Sequence, residues 1–234
     1  MPLKGPYEIL SFDCYGTLID WETGILAVLK PILSSYKIPL SDDHILEIFA
    51  EEESKHQVRD YFNYKTILKK VMRGLGNRFK STLTSSENDA LLKSIKDWSP
   101  FPDTVGALKD LKMRYKLAIL SNIDDEIFAE TAKRLEVSFD WVVTAEQVRS
   151  YKPSLNNFRQ ALQRFGVAPD KVLHVAQSLY HDIAPAKTLG FGTVWVNRRK
   201  GKEGFGATPA SQVKADLEVA DLNELATFLL EGRP

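Results

Sequence analysis

Five short runs of apolar, strand-favouring residues mark the chain: Ile9 to Phe12, Leu117 to Leu120, Trp141 to Thr144, Val172 to Ala176 and Thr193 to Val196. They are apolar almost throughout rather than at alternate positions, so both faces of each strand must be covered. Between the later runs lie helical patterns at Asp103 to Arg114, Asp125 to Leu135, Leu155 to Phe165, Asp182 to Leu189 and Leu222 to Leu230. Alternation of this kind predicts a parallel sheet with helices packed on both sides.

The stretch from about Glu22 to Trp98 breaks the rhythm. It has no strong strand signal, and its pattern predicts helices over roughly Thr23 to Tyr36, Asp42 to Arg59, Tyr64 to Gly74 and Ser86 to Ser94. Ser41-Asp42-Asp43 and Ser85-Ser86-Glu87 have the composition of helix N-termini, and Gly74 and Gly76 that of stops. Ser99-Pro100-Phe101-Pro102 is the expected re-entry linker, because two prolines suit neither a helix interior nor a central strand. The chain is thus expected to divide into a core, residues 1–20 and 99–234, and a small helical domain, residues 21–98, inserted after the first strand.

Composition excludes several classes of function. Among 234 residues, 31 Lys and Arg balance 31 Asp and Glu, so no overall field draws the chain to nucleic acid or to an anionic membrane. Arg198-Arg199-Lys200 with Lys202 reads as a solvated loop rather than a binding patch. No segment approaches the roughly eighteen apolar residues of a membrane span, and Met1 to Tyr7, with two prolines, lacks a signal-peptide pattern. The single cysteine, Cys14, leaves no internal disulfide and fits a reducing compartment. The expectation is a soluble, cytoplasmic protein.

The first strand ends at Asp13, in Ile9-Leu10-Ser11-Phe12-Asp13-Cys14-Tyr15-Gly16-Thr17-Leu18. Ligands of an open parallel sheet bind beyond the carboxyl ends of its strands. A carboxylate there faces a ligand, and Gly16 lets the backbone fold close around it. The competing use is a turn or helix-capping Asp. Cys14 points the opposite way from its neighbour and is expected as small core filler. Ser121 and Asn122 end the second strand with a hydroxyl, an amide and backbone N–H groups that suit an anionic oxygen. They suit a cap for the helix beginning near Asp124 equally well.

Asp13-Cys14-Tyr15-Gly16-Thr17-Leu18 resembles the first motif of the haloacid dehalogenase superfamily, whose hydrolases use that Asp as a nucleophile. Most of the superfamily are phosphatases with a second Asp two residues on, whereas Tyr15 resembles the type II 2-haloacid dehalogenase branch. Ser121-Asn122 resembles the second motif, Lys152-Pro153 the third, and Val172 to Ile183 the fourth. The fold class this implies is α/β: a three-layer Rossmann-like parallel sheet core with an inserted helical cap domain. The catalytic residues implied are Asp13, Thr17, Lys152 and Asp182. Lys152 keeps the Asp13 carboxylate ionised and oriented, and Asp182 activates a water or positions Lys152. Cys14, Tyr15, Ser121, Asn122, Gln177 and Ser178 are expected around the substrate.

The superfamily's phosphatases place an Asp at the position of Gln177 as well as at that of Asp182. Magnesium needs hard, anionic oxygens, and Tyr15 and Gln177 replace two of them, so neither metal nor other cofactor is expected. His181, whose type titrates near neutrality, has no catalytic counterpart in the family pattern and is expected to face solvent or to pack. A homodimer is what the resemblance suggests.

The implied chemistry is hydrolytic dehalogenation of a small 2-haloalkanoate, with inversion, through an aspartyl ester on Asp13. Three departures bear on substrate preference. The branch has an Arg in a cap helix that holds the leaving halide, and the matching Ile48-Phe49-Ala50-Glu51-Glu52-Glu53 has none; Arg59 is the nearest substitute in sequence. The branch's Tyr after the motif Lys is Phe158 here, and its Ser-Ser-Asn is Gln177-Ser178-Leu179. The aromatic residues Tyr61, Phe62 and Tyr64, with Trp21, are expected in the bundle core, the alternative being a pocket wall. Two rival functions remain in view: a phosphatase with Asp13 as acceptor, and a non-catalytic binding protein on the same scaffold.

Overall fold

The computed structural model describes residues 5–57, 60–202, 204 and 206–232. Strand β1 (Ile9–Phe12) is followed by α1 (Trp21–Ser35), α2 (Asp42–Gln57), α3 (Tyr64–Arg78), α4 (Ser85–Asn88) and α5 (Ala90–Ser94). The chain continues through α6 (Thr104–Lys112), β2 (Lys116–Ser121), α7 (Asp125–Leu135), β3 (Trp141–Thr144), α8 (Ala145–Val148) and α9 (Leu155–Phe165). After β4 (Val172–Ala176) come a π-helical turn (Leu179–Ile183), α10 (Ala184–Thr188), β5 (Gly192–Val196), β6 (Leu217–Val219) and α11 (Leu222–Glu231).

All the strand pairs are parallel, in the order β3-β2-β1-β4-β5-β6. Chain progression runs from β1 outward to β3, then returns across β1 to β4. The carboxyl ends of β1 and β4 therefore flank the crevice where strand order reverses, the place such sheets bind ligands. β1 is fully buried, which is why it reads as a continuous apolar run. Its side chains alternate: Leu10 and Phe12 join the larger core cluster with Leu108, Leu222 and Leu225, while Ile9 faces Phe158, Ala161 and Phe165 of α9. Sixth strand β6 had no sequence signal. It is three residues long with an exposed Glu218 at its centre, too short and too polar to show a period.

The inserted segment is helical, with differences that have local causes. α1 begins at Trp21, ahead of the expected Thr23, because the Asp20 side chain accepts from the Thr23 backbone N–H at 3.2 Å. α3 does not stop at Gly74 or Gly76 but runs on to Arg78. Gly74 serves close helix approach instead, since a side chain there would run into the Glu52 carboxylate of α2. The two crossings between cap and core pair with each other: Asp20 N–H donates to the Ser99 carbonyl at 2.9 Å and Phe101 N–H to the Leu18 carbonyl at 3.0 Å.

The cap is bolted to the core on both sides of the crevice. Asp124, at the start of α7, does not cap its own helix. Its two carboxylate oxygens accept from the backbone N–H groups of Tyr64 and Lys65, at 2.7 and 3.0 Å, so that it caps α3. On the other side Arg199 bridges Glu22 of α1 and Asp43 of α2, at 2.6 and 2.5 Å. Arg198 pairs with Asp103 at 2.7 Å. These two arginines are ion-paired and largely buried, not the solvated loop their sequence suggests, because acidic partners reach them from distant segments.

Candidate active site

Asp13 lies just beyond β1 and shares the side of the strand occupied by Ile9 and Ser11. Its Oδ1 accepts from the Lys152 ammonium at 2.9 Å, and its Oδ2 from the Thr17 hydroxyl at 2.7 Å. The Thr17 oxygen in turn accepts from the Gln177 N–H at 2.9 Å, which ties the turn after β1 to the end of β4. Gly16, at φ +93°, permits that turn, and Trp21 packs against it closely enough to exclude a side chain.

Lys152 is 1 % exposed. Its three donors go to Asp13, to Asp182 Oδ1 at 2.6 Å and to the Leu120 carbonyl at 2.8 Å. An ammonium has three protons, so none is left over. Asn122 holds the Lys152 backbone at two points, accepting from its N–H at 2.7 Å and donating to its carbonyl at 3.1 Å. The ion pairs continue below as a buried chain. His174 of β4 is within 2.9 Å of Asp182 Oδ1 through Nε2 and 2.8 Å of the Ser11 hydroxyl through Nδ1. With Ser11 donating to Nδ1, the imidazole donates to Asp182, whose Oδ2 keeps no protein partner among the described residues.

Protonation follows from these contacts. Burial pushes the Asp13 carboxyl up, and the Lys152 ammonium and Thr17 hydroxyl oppose it. Asp182 is held below the usual carboxylate range: burial raises it, but Lys152 and His174 together outweigh that. Burial lowers Lys152, yet the Asp13 and Asp182 carboxylates keep it above its ordinary value. The floor is an anion–cation–anion row in which each charge is stabilised by the next.

Above this row is a cavity of about 40 Å³, room for a few waters or a compact substrate. Core residues Asp13, Tyr15, Ser121, Asn122, Lys152, Ser178, His181 and Asp182 line it, and Trp21, Glu53, Gln57 and Tyr64 of the cap close it. Tyr15 donates to or accepts from Thr131 at 2.6 Å and meets Trp98 edge-on, with ring centroids 6.2 Å apart. The Ser121 hydroxyl has no hydrogen-bond partner among the described residues. Thr208, from the loop after β5, completes the rim.

The model of the haloacid dehalogenase-like hydrolases matches residues 7–190. The chain belongs to that family. It is 27 % identical over 226 residues to (S)-2-haloacid dehalogenase 4A of Burkholderia cepacia, with 94 % of each chain covered. The L-2-haloacid dehalogenase of Xanthobacter autotrophicus with chloropropionic acid covalently bound superposes with a TM-score of 0.76 at 21 % identity, covering 95 % of this chain and 98 % of that one. A shorter match, 36 % identity over 101 residues, is to a glyceraldehyde 3-phosphate phosphatase of Methanothermobacter thermautotrophicus, covering 42 % of this chain and 45 % of that one.

Of the residues expected on this hydrolase site, Asp13, Thr17, Lys152 and Asp182 come together on the floor. Tyr15, Ser121, Asn122 and Ser178 line the cavity. Two do not. Cys14 points away with Leu10 and Phe12 and is wholly buried in the core, as strand alternation requires; burial also pushes its thiol well above its ordinary value. Gln177 opens onto neighbouring crevices instead, with its backbone spent on Thr17 and on Trp195, whose indole N–H donates to its carbonyl at 2.8 Å.

His181 is buried on the cavity wall, not in solvent, because the π-helical turn rotates it inward beside Asp182. It stays neutral, with burial pushing its imidazole down to about 4. Phe158, where the branch has Tyr, packs edge-on against His174 and Phe191 beneath the sheet end. Arg59 lies outside the described residues. Trp21 and Tyr64 wall the cavity, while Tyr61 stacks on Tyr151 at 5.4 Å and Phe62 is exposed. A magnesium ion fits this donor set poorly: Tyr15 and Gln177 add no anionic oxygen to those of Asp13 and Asp182.

Proposed function

We propose that the protein is a metal-independent hydrolase of carbon–halide bonds that converts small 2-haloalkanoic acids to 2-hydroxy acids, with Asp13 as nucleophile. An Asp13 oxygen attacks the carbon bearing halogen; a C–O bond forms as the C–X bond breaks and its electron pair leaves with the halide. The product of that step is an ester of the Asp13 side chain. Asp182 Oδ2, lacking a protein partner, takes a proton from a water that attacks the ester's carbonyl carbon. Lys152 and Thr17 stabilise the charge that collects on the Asp13 oxygens. Collapse breaks the bond between that carbonyl carbon and the substrate oxygen. Asp182 returns its proton to the departing alkoxide to give the 2-hydroxy acid, and the Asp13 carboxyl sheds the second water proton to solvent and is a carboxylate again.

The observation that carries this reading is that Tyr15 and Gln177 stand at the two positions where a phosphoryl-transfer site of this superfamily would supply anionic oxygens to a divalent ion, which leaves the Lys152 ammonium, at 2.9 and 2.6 Å, as the cation that Asp13 and Asp182 share. Support also comes from full-length similarity to enzymes named as 2-haloacid dehalogenases. The same reading divides the chain at 20/21 and 98/99, which the paired crossings Leu18–Asp20 and Ser99–Phe101 support. It assigns the protein to the cytoplasm. A lone buried cysteine, and no helix among the described residues long and apolar enough to cross a membrane, accord with that.

The stretch similar to a phosphatase gives a second reading, with Asp13 as phosphoryl acceptor. One experiment separates the two. Halide release from 2-chloropropionate in the presence of a chelator is the expected result. Phosphate release from a chromogenic phosphate ester that depends on magnesium and on Asp13, with no halide release, would reverse the assignment.

A further inference from the structure

The roof of the cavity holds one ionisable group that the chemistry above leaves unused. Glu53, on α2, is 3 % exposed and lines the cavity. Its Oε1 accepts from the Tyr64 hydroxyl at 2.5 Å, and its Oε2 has no partner among the described residues. Its neighbours on α2 face elsewhere: Glu51 pairs with Arg78 and Glu52 with Lys55, each at 2.5 Å. Gln57, four residues on and therefore on the same helix face, also lines the cavity.

The charges around this carboxyl can be named element by element. From α3 comes Tyr64; from α1 only Trp21, which does not titrate. The turn after β1 gives Asp13 and Tyr15, the loop before α9 gives Tyr151 and Lys152, and the turn after β4 gives His181 and Asp182. Among the described residues Lys152 is the one charged basic side chain lining the cavity, and its donors are already spent on Asp13, Asp182 and the Leu120 carbonyl. No free cation among the described residues waits in the roof for a halide or a substrate carboxylate. If Glu53 were ionised when a 2-haloalkanoate bound, four carboxylates would share one small cavity with one ammonium. Burial makes that arrangement costly.

We infer that Glu53 sets which substrate charge the cavity accepts: as the neutral acid it admits a 2-haloalkanoate and donates to it through Oε2, and as the carboxylate it rejects anions and favours an uncharged haloalkane bearing a donor group, such as a 2-haloamide. This rests on the dehalogenase reading and deepens it by naming the residue that selects among substrates. Burial pushes the Glu53 carboxyl up to about 7, against the opposing Tyr64 hydrogen bond, so the switch falls in the neutral range. The other groups facing it stay in one state there. His181 is already neutral, the phenols of Tyr15, Tyr64 and Tyr151 are pushed up by burial, Lys152 is held up and Asp182 held down. Asp13 must be ionised to attack either substrate, so its titration affects the two kcat/KM values alike.

The test compares 2-chloropropionate, an anion throughout, with 2-chloropropionamide, its neutral counterpart, between pH 5.5 and 9. The readout is the ratio of their kcat/KM values, in which Asp13, ionised for either attack, cancels. If the amide is not turned over, the ratio of KM to the amide's Ki is compared between the native enzyme and Glu53→Gln or Tyr64→Phe, so that the contribution of Asp13 is common to both. The expected ratio moves against the anion about tenfold or more as pH rises through about 7, the effect of a one-unit rise in the Glu53 pKa on anion binding. Glu53→Gln should make the ratio independent of pH and restore the anion's standing at pH 9. Tyr64→Phe removes the bond that holds Glu53 down, so the inflection should move to higher pH; this variant and the native enzyme decide the matter if the Gln variant fails to fold. Halide release from 2-chloropropionate with a flat ratio would overturn the inference and leave the dehalogenase reading standing. Halide release from neither compound would overturn both.

Discussion

The floor and the roof of the cavity are built on opposite plans. On the floor every charge has a partner within 3 Å: Thr17 and Lys152 hold Asp13, and Lys152 and His174 hold Asp182. In the roof Glu53 has one partner among the described residues, Tyr64, and the lining beside it is Trp21, Tyr64 and the neutral amide of Gln57. A nucleophile must be held in one rotamer and one charge state, which needs saturated hydrogen bonding. A surface that selects among substrates must keep polar atoms unspent until a ligand arrives. The difference teaches that this chain fixes its reaction centre with saturated contacts and leaves unspent polar atoms in the wall that chooses what enters it.

Breaking the floor should have the larger effects. Asp13→Asn should reduce dehalogenation by more than about 10⁴-fold, the scale on which covalent catalysts lose activity with their nucleophile, measured as halide release under saturating substrate. Turnover within tenfold of the native rate would move the chemistry away from the floor. Lys152→Met leaves two buried carboxylates facing each other and should lower stability by about 3–5 kcal/mol, read from urea unfolding. An unchanged midpoint would mean that the row of charges is not what anchors the site.

The two regions should also respond to pH in opposite senses. Asp182 is depressed in the folded protein, so its contribution is present above its unfolded pKa and is lost as pH falls through the folded one. Glu53 is raised from 4.5 to about 7, so its contribution is full below the unfolded value and is lost as pH climbs through about 7. Asp182→Asn should therefore be most destabilising near neutrality and least at low pH. Glu53→Gln should gain on the native protein between pH 5 and 8, by up to ~3 kcal/mol at 1.36 kcal/mol per pKa unit. Parallel pH profiles for the two variants would erase the contrast. The smallest effect is expected at the seam: Asp124→Ala removes the acceptors of the first two N–H groups of α3, while Asn63 still caps the third, and should lower stability by about 1–2 kcal/mol, with kcat for bound substrate nearly unchanged.

The floor was legible in the sequence because its residues follow strand ends. Asp13, Ser121 and the turn holding Ser178 and Asp182 each come shortly after an apolar run, where a parallel sheet delivers its ligand-facing groups. Lys152 was legible through motif resemblance alone; nothing in its local sequence marks a lysine that ends up 1 % exposed. The roof was legible only in part: a pocket wall was the weaker of two readings for Trp21 and Tyr64, and nothing singled out Glu53. Trp21, Glu53 and Tyr64 come from three helices, and their convergence depends on packing, including the close approach at Gly74, which has no short-range signature. Glu53 in particular sits among Glu51 and Glu52, and composition cannot say which of three neighbouring acids turns inward. His181 had two places open to it, solvent or packing: a regular α-helix from Asp182 would leave it outside, whereas the π-helical turn brings it in.

The central claim is that Asp13 becomes an ester that water opens at the protein's own carbonyl. Enzyme in excess over 2-chloropropionate, reacted in heavy-oxygen water and digested for mass spectrometry, tests it directly. The account predicts one heavy oxygen in the peptide containing Asp13, with a product hydroxyl that carries ordinary oxygen from the protein. Heavy oxygen found only in the 2-hydroxy acid, with the Asp13 peptide unlabelled, would contradict it.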